Sequence, residues 1–384
     1  MQRKRLSISG LLILLFFFFS FTFTGCGEDK DFKPEDPKNG QKEKPKDPEN
    51  PKEPEDPEEP EIPEFSALVT VNPSPEAVNV YNFLKENFGK NIISGTMANV
   101  SWNTNEAQWV NKHTGAYPAL NCFDYIHLHA SPASWINYSN ISVVEDWWEA
   151  NGLVSIMWHW NVPVNEGSRT YAFYTSGTTF DIIKAVQAGT YENGIVIADL
   201  EKTANYLLLL KQKNIPILWR PLHEAAGRWF WWGAKGAEPL KALWQLMFET
   251  FEAKGLNNLI WVWTSEINDA AWYPGDQYVD IIGRDLYNDR NGTKAKSNYT
   301  SLKNNYPGKL IALSECGDVA LVSNQWKAGA TWSWFMPWYD YSRTVSVTGT
   351  DFDQTAHEHA NINFWTNAFA DPLVITRDKM PNLK

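Results

Sequence analysis

A single closed (β/α)8 TIM barrel, class α/β, is the fold this chain predicts, and three observations predict it. Eight short apolar runs recur between residues 91 and 338. Stretches with apolar residues at helical spacing lie between them. Each run begins apolar and ends on polar or aromatic residues, so the same end of every strand is marked. Strands apolar on both faces and separated by helices imply a parallel sheet covered on both sides. Eight such units favour closure into a barrel, where all strand carboxyl ends meet at one mouth. A doubly wound open sheet is the alternative, but "SGTMAN" after the first run lacks that fold's glycine-rich phosphate loop.

The chain has 384 residues, and the fold is expected to begin only at residue 66. Residues 1–25 open on Arg3, Lys4 and Arg5 and continue with an apolar run, the layout of a secretory signal. The run from Leu11 to Phe23 is short for a bilayer span, and Ser and Thr interrupt it. At "FTGC" a small residue precedes Cys26, which resembles the lipobox of bacterial lipoproteins with Cys26 as the lipidated first residue. Residues 26–65 form a Pro/Glu-rich tether. Behind Cys26 it holds 15 acidic residues against 7 lysines, so its net −8 accounts for most of the chain's −11. Such a segment buries too little apolar surface to fold, and its prolines keep it extended. The acidic balance therefore belongs to the tether, and nothing predicts nucleic-acid binding. The acids directly after Cys26 ("GEDKD") resemble the export signal of surface lipoproteins in some didermic bacteria. The expectation is an exported lipoprotein of the outer membrane, at the cell surface, touching the membrane through its lipid alone.

Residues 66–384 read as one domain, expected to be a monomer. "SPEAVNVYNFLKENFG" predicts a helix before the first strand, with Ser at its start and Gly behind it. The strands follow as 91–96, 116–125, 152–160, 215–224, 258–265, 279–287, 309–317 and 330–338. The intervening helical patterns include "FDIIKAVQAGTYENG", "ADLEKTANYLLLLKQKN" and "AEPLKALWQLMFETFEAKG", which tend to end in Gly or Asn. Cys122 and Cys316 both lie in strand-like runs, so no disulfide framework is expected.

The strand ends carry the chemistry. Glu224 closes the fourth run and Glu315 the seventh, 91 residues apart, so a barrel would set them facing each other across the mouth. Two opposed carboxyl groups over a groove are what glycoside hydrolysis requires, one to donate a proton and one to attack or activate water. Each could instead serve merely as an ion-pair partner of Arg220 or Arg284. Their joint position at two strand ends among aromatics favours catalysis. Sugars present apolar ring faces that stack on Trp and Tyr. "WFWWG" follows Glu224 directly, and Trp158, Trp160, Trp263, Trp272, Tyr287 and Trp338 stand near other strand ends. Trp219 and Trp244 read as core, whereas Trp229 and Trp338 read as sugar platforms.

"RPLHE" with "WFWWG" behind it and "SECG" on the seventh run together resemble the signatures of glycoside hydrolase family 26, chiefly β-mannanases, over roughly Pro73 to Ala370. The resemblance implies a retaining double displacement on a β-mannan-type polysaccharide, with Glu224 as acid/base and Glu315 as nucleophile. It implies that His223 contacts the sugar at the cleavage subsite and tunes Glu224. From "MWHWN" it implies that His159 binds the subsite beside the nucleophile. From "GRDLY" it implies that Tyr287 hydrogen-bonds Glu315, with Asp285 in the same network. Trp229 would stack on the leaving-side sugar and Trp338 would lie under the cleavage subsite. Tyr339 follows Trp338 where some mannanases have Arg, which leaves endo or exo cutting open. The mechanism asks for a protonated Glu224, raised by apolar neighbours such as Trp229, and an ionised Glu315, held by Tyr287 and Arg220.

The alternatives are the same machinery on β-1,3-xylan or mixed-linkage β-glucan, an exo-acting mannobiohydrolase, or a non-catalytic glycan-binding lipoprotein. The last would keep the aromatics but lose one glutamate, and both are present. "HLH" (127–129) and "HEH" (357–359) raise the question of a metal. The second reads as helical, where i and i+2 diverge, and no HExxH occurs, so no metal and no cofactor are expected.

Overall fold

The computed structural model describes residues 64–100 and 102–384; the signal segment, Cys26 and nearly all of the tether lie outside them. Eight parallel strands form the core: β1 Ile92–Met97, β2 Leu120–Asp124, β3 Leu153–Met157, β4 Ile217–Arg220, β5 Leu259–Ser265, β6 Ile281–Asp289, β7 Leu310–Val319 and β8 Trp334–Pro337. Each pairs with its sequence neighbour, and β8 returns to β1 through Ile93 opposite Trp334 and Ser94 opposite Phe335. The sheet is therefore closed, as the eight apolar runs predict. All residues of β1 to β5 are buried, which explains why these runs show no alternation. The pair Val374–Ile375 lies parallel to the start of β1, a stretch that β2 joins only from Gly95 onward. That stagger follows from the strand tilt of a closed barrel.

Helices cover the outside. Pro75–Asn87 starts as the sequence predicts, with Ser74 accepting a hydrogen bond from the Ala77 amide and Pro at the first helical position. "FDIIKAVQAGTYENG" is not one helix. A single turn, Ile182–Ala185, ends before Gly189, whose φ is 85°. A new helix, Tyr191–Lys211, then begins where Thr190 accepts from the Asn193 amide. Trp219 and Trp244 are fully buried, as expected of core residues. Phe65 already packs edge-on against Phe88, with centroids 5.6 Å apart. Both cysteines are buried and unpaired.

The amino-terminal arm is fixed to the barrel floor by Asp280. Its Oδ1 accepts from the Val69 amide and its Oδ2 from the Trp261 amide, each at 2.7 Å. Burial pushes this carboxyl up to about 7, against those two donors and Lys309. Replacing Asp280 by Ala leaves the buried Trp261 amide and the part-buried Val69 amide without an acceptor, so it should lower the unfolding free energy by about 2–4 kcal/mol. Urea unfolding followed by tryptophan fluorescence checks this, and an unchanged midpoint would refute the clamp.

Candidate active site

Arg220, the last residue of β4, is 2% exposed and sits among carboxylates. Its two terminal nitrogens each donate to Glu315 Oε2 at 3.1 Å, and Nη2 also donates to Asp285. Nε donates to Thr264 Oγ1 at 3.0 Å. Burial works against the guanidinium charge, but Asp285 and Glu315 more than restore it. Tyr287 donates to Glu315 Oε1 at 2.7 Å. Burial and the facing Glu315 push the phenol well above its ordinary range, so it remains a donor. Both oxygens of Glu315 are therefore held, and the Tyr287 hydrogen bond is the one the resemblance implied.

Glu315 reaches this position through a bulge. Between Ala312 and Glu315, β7 advances three residues while β6 advances two, from Gly283 to Asp285. The same extra residue appears against β8, where Leu313 to Cys316 oppose Phe335 to Pro337. Neighbouring residues of a regular strand point to opposite faces. Here Ser314 and Glu315 both point inward: Ser314 donates to Asp285 Oδ1 at 2.8 Å while Glu315 meets Arg220. A bulge beside a site re-aims a side chain in this way. Gly283 makes room for it, since a Cβ there would lie 2.4 Å from Ser314 Oγ.

Glu224 arrives differently. The expected strand 215–224 stops at Arg220, and Glu224 follows a turn in which Leu222 (φ 49°) and Glu224 itself (φ 52°) are left-handed. Non-glycine residues pay conformational energy for this geometry, which clusters at functional sites. Trp229 donates its indole N–H to Glu224 Oε2 at 2.9 Å, so this ring contributes a hydrogen bond as well as apolar bulk. Trp229 is 42% exposed. Its ring lies over Gly227, where a Cβ would come within 2.0 Å of it. Carboxylate oxygens of Glu224, Asp285 and Glu315 lie within 4.8 Å of one another.

Three carboxyl groups around one guanidinium cannot all ionise cheaply. Burial, then Asp285 and Glu315, push Glu224 up to about 9. Burial and Asp285 push Glu315 up to about 7, against Arg220, Tyr287 and His159. Burial also raises Asp285. The cluster therefore keeps a proton at neutral pH, and Glu224, which lacks an ion-pair partner, is where it sits. Glu315, though paired, also lies higher than an ordinary carboxylate.

His223 is 1% exposed, its ring 4.6 Å from His159, 5.0 Å from Phe230 and 5.7 Å from Trp232. Burial, then His159 and Arg220, hold it well below its usual range, so it stays neutral, and its Nδ1 has no partner. His159 is clasped by Asp124 at the end of β2. Trp338 lies half-buried 5.8 Å from His159, with Tyr339 at 5.1 Å. All nine residues expected at the mouth, Arg220, Glu224, Glu315, His159, His223, Trp229, Asp285, Tyr287 and Trp338, thus converge there. Several other aromatics are buried in the interior. Trp158 and Trp160 stack on each other at 3.9 Å in the interior, Trp263 is buried, and Trp231 and Trp232 hydrogen-bond backbone carbonyls of Trp160 and His223.

Arg284 pairs with Glu266 at 2.7 Å rather than with either mouth glutamate. "HEH" is not helical but lies in an irregular stretch after Gln354. His357 Nδ1 accepts the His359 and Ala360 amides, and its Nε2 meets Glu106 Oε1 at 2.5 Å, so side-chain capping replaces helical bonding. His127 and His129 pack against Trp135 and Tyr171. Sequence reasoning missed Asp124, whose only signal was its place at the end of "CFD", and the Glu266–Arg284 pair beside the mouth.

Comparison with known proteins agrees with this geometry. The curated mannan endo-1,4-β-mannosidase of Thermothelomyces thermophilus is 36% identical over 281 residues, 70% of this chain and 56% of that protein. One from Bacillus subtilis strain 168 is 30% identical over 220 residues, 51% of this chain and 58% of that protein. The chain thus spans little more than half the length of these relatives. The GH26 domain of an endo-β-mannanase/endo-β-glucanase from Prevotella bryantii is 40% identical, with a TM-score of 0.75 over 82% of this chain and 98% of that one. A β-mannanase from a symbiotic protist of the termite Reticulitermes speratus, solved with a gluco-manno-oligosaccharide, is 35% identical, with a TM-score of 0.71 over 83% and 99% of the two chains. The family model for glycosyl hydrolase family 26 matches residues 69–378, from the arm that Asp280 clamps to the last turn of the chain. With the barrel, the paired glutamates and this match in place, the chain belongs to glycosyl hydrolase family 26.

Proposed function

We propose that this protein is a retaining, endo-acting β-1,4-mannanase that cleaves mannan or galactomannan by double displacement. The observation that carries the reading is the close approach of two carboxyl groups with opposite surroundings. One oxygen of each lies within 4.8 Å of the other, which favours the roughly 5–5.5 Å carboxyl spacing of retaining enzymes over the wider gap of inverting ones. Glu315, fixed by Arg220 and Tyr287, attacks the anomeric carbon. Glu224 gives its proton to the departing glycosidic oxygen, and the aglycone leaves. Glu224, now a carboxylate, takes a proton from water, and that water's oxygen displaces Glu315 from the sugar. His159 and Trp338 bind the sugar on the nucleophile side, and Trp229 stacks on the leaving side. The mannosidase names of the relatives support the choice of substrate. We also propose that Cys26 carries a lipid that anchors the enzyme to the outer membrane at the cell surface, with residues 26–65 as its spacer.

Incubation with galactomannan, mixed-linkage β-glucan and β-1,3-xylan, with sizing of the products, tests the substrate. Release of mixed mannooligosaccharides is expected; cleavage of either other polymer alone, or release of mannobiose as the sole product, would redirect the proposal. Glu315→Ala should lower turnover at least about a thousand-fold, as loss of a nucleophile does. The variant should stay folded, because Arg220 keeps Asp285 and one crowded charge is gone. Substantial residual activity in a folded variant would sink the assignment.

The pH profile follows from the two carboxyls. Glu315 must be ionised, so kcat/KM should rise through about pH 7, and Glu224 must be protonated, so it should fall through about pH 9. Both limbs belong to the coupled cluster. A profile already at its plateau at pH 5 would contradict the crowding of the three carboxyls.

A further inference from the structure

Asp124 ends β2 and is 3% exposed, and both of its oxygens are committed to one residue of the next strand's end. Oδ1 accepts the His159 backbone N–H at 3.0 Å, and Oδ2 faces His159 Nδ1 at 2.6 Å. A carboxylate can only accept, so Nδ1 must carry a hydrogen. The imidazole is then boxed by Phe173 at 5.0 Å, His223 at 4.6 Å, Phe230 at 5.7 Å and Trp338 at 5.8 Å, each meeting it at a steep angle. One nitrogen is spoken for and the ring cannot turn. Among the described residues nothing in the protein hydrogen-bonds the other nitrogen, Nε2, although the ring stands in the mouth close enough to Glu315 to lower it electrostatically.

We propose that Asp124 is a positioning residue for the reaction: it fixes the ring plane and the Nδ1–H tautomer of His159, so that Nε2 meets the substrate in one defined polarity. In the neutral ring Nε2 is an acceptor, and its partner is a hydroxyl of the sugar on the nucleophile side. The backbone contact to the same carboxylate ties this orientation to the β2–β3 pairing, where Asp124 lies opposite Met157. A histidine whose second nitrogen is oriented by a carboxylate is a recurring device for setting tautomer and direction. The inference rests on the glycoside-hydrolase reading of the mouth, but its central claim concerns the imidazole itself.

The test separates the two. In the folded, nitrogen-15-labelled protein, long-range imidazole spectra, assigned with His159→Ala, should show neutral His159 as the Nδ1–H tautomer; an Nε2–H tautomer in the wild type overturns the proposal without any variant of Asp124. Asp124→Asn keeps an acceptor for the His159 amide and turns an N–H₂ toward Nδ1, so the hydrogen should move to Nε2. On the polysaccharide the enzyme cleaves, Asp124→Asn should lower kcat/KM by about 10- to 100-fold, the usual cost of losing a carboxylate that orients a functional imidazole. In the His159→Ala background the same change should cost less than about two-fold, because residues acting through one group are not additive. Equal losses in both backgrounds would show a merely structural role and overturn the proposal. Should the protein cleave none of the three polymers, the mannanase reading fails, while the tautomer in wild type and in Asp124→Asn still decides this one.

Discussion

The mouth of the barrel depends on one buried cation. Arg220 is the only guanidinium hydrogen-bonded to the carboxylates of Glu315 and Asp285 among the described residues, and it holds both. A charge so placed is costly to desolvate unless it is paired, and here the pairing is what makes the site. One positive charge balances one carboxylate well and a second only in part. The third carboxyl, Glu224, is left with an indole N–H and the repulsion of the other two. The division of labour between the glutamates is therefore not a property of each alone. It follows from which of them Arg220 reaches.

The scaffold serves this arrangement by bringing residues from four consecutive strands to one point. Arg220 comes from β4, Thr264 from β5, Asp285 and Tyr287 from β6, and Ser314 and Glu315 from β7. The opposite half of the mouth, from β2, β3 and β8, supplies an aromatic and imidazole wall with Asp124 behind it. One half carries the charge chemistry, and the other presents flat, edge-on surfaces suited to a sugar ring.

Much of this was legible in the sequence because the barrel writes its topology as a repeating pattern. All eight strands and the nine mouth residues could be located, since strand ends in such a fold share one side. What could not be read were departures from regular geometry. The left-handed turn at Leu222 and Glu224 lies within an ordinary "PLHE", and nothing local marks it. Continuous burial hides the bulge in β7, because alternation is absent to begin with. Asp124 looked like any strand-end acid until its partner, 35 residues away, was known. "HEH" reads as helical in sequence, but the His359 and Ala360 amides donate to a side chain, His357, rather than to backbone carbonyls.

The bulge also makes the length of the strand that carries Glu315 matter to the site. Ser314 and Glu315 share a face only because β7 is one residue longer than its neighbours at that level. Removing that residue would leave every strand paired and the barrel closed. It would nonetheless leave one inward-facing residue where there are now two: Glu315, still opposite Asp285, would keep its face, and Asp285 would lose the Ser314 hydroxyl. Drift in the loops can be absorbed at the surface. Between Ala312 and Cys316 the number of residues is itself part of the site.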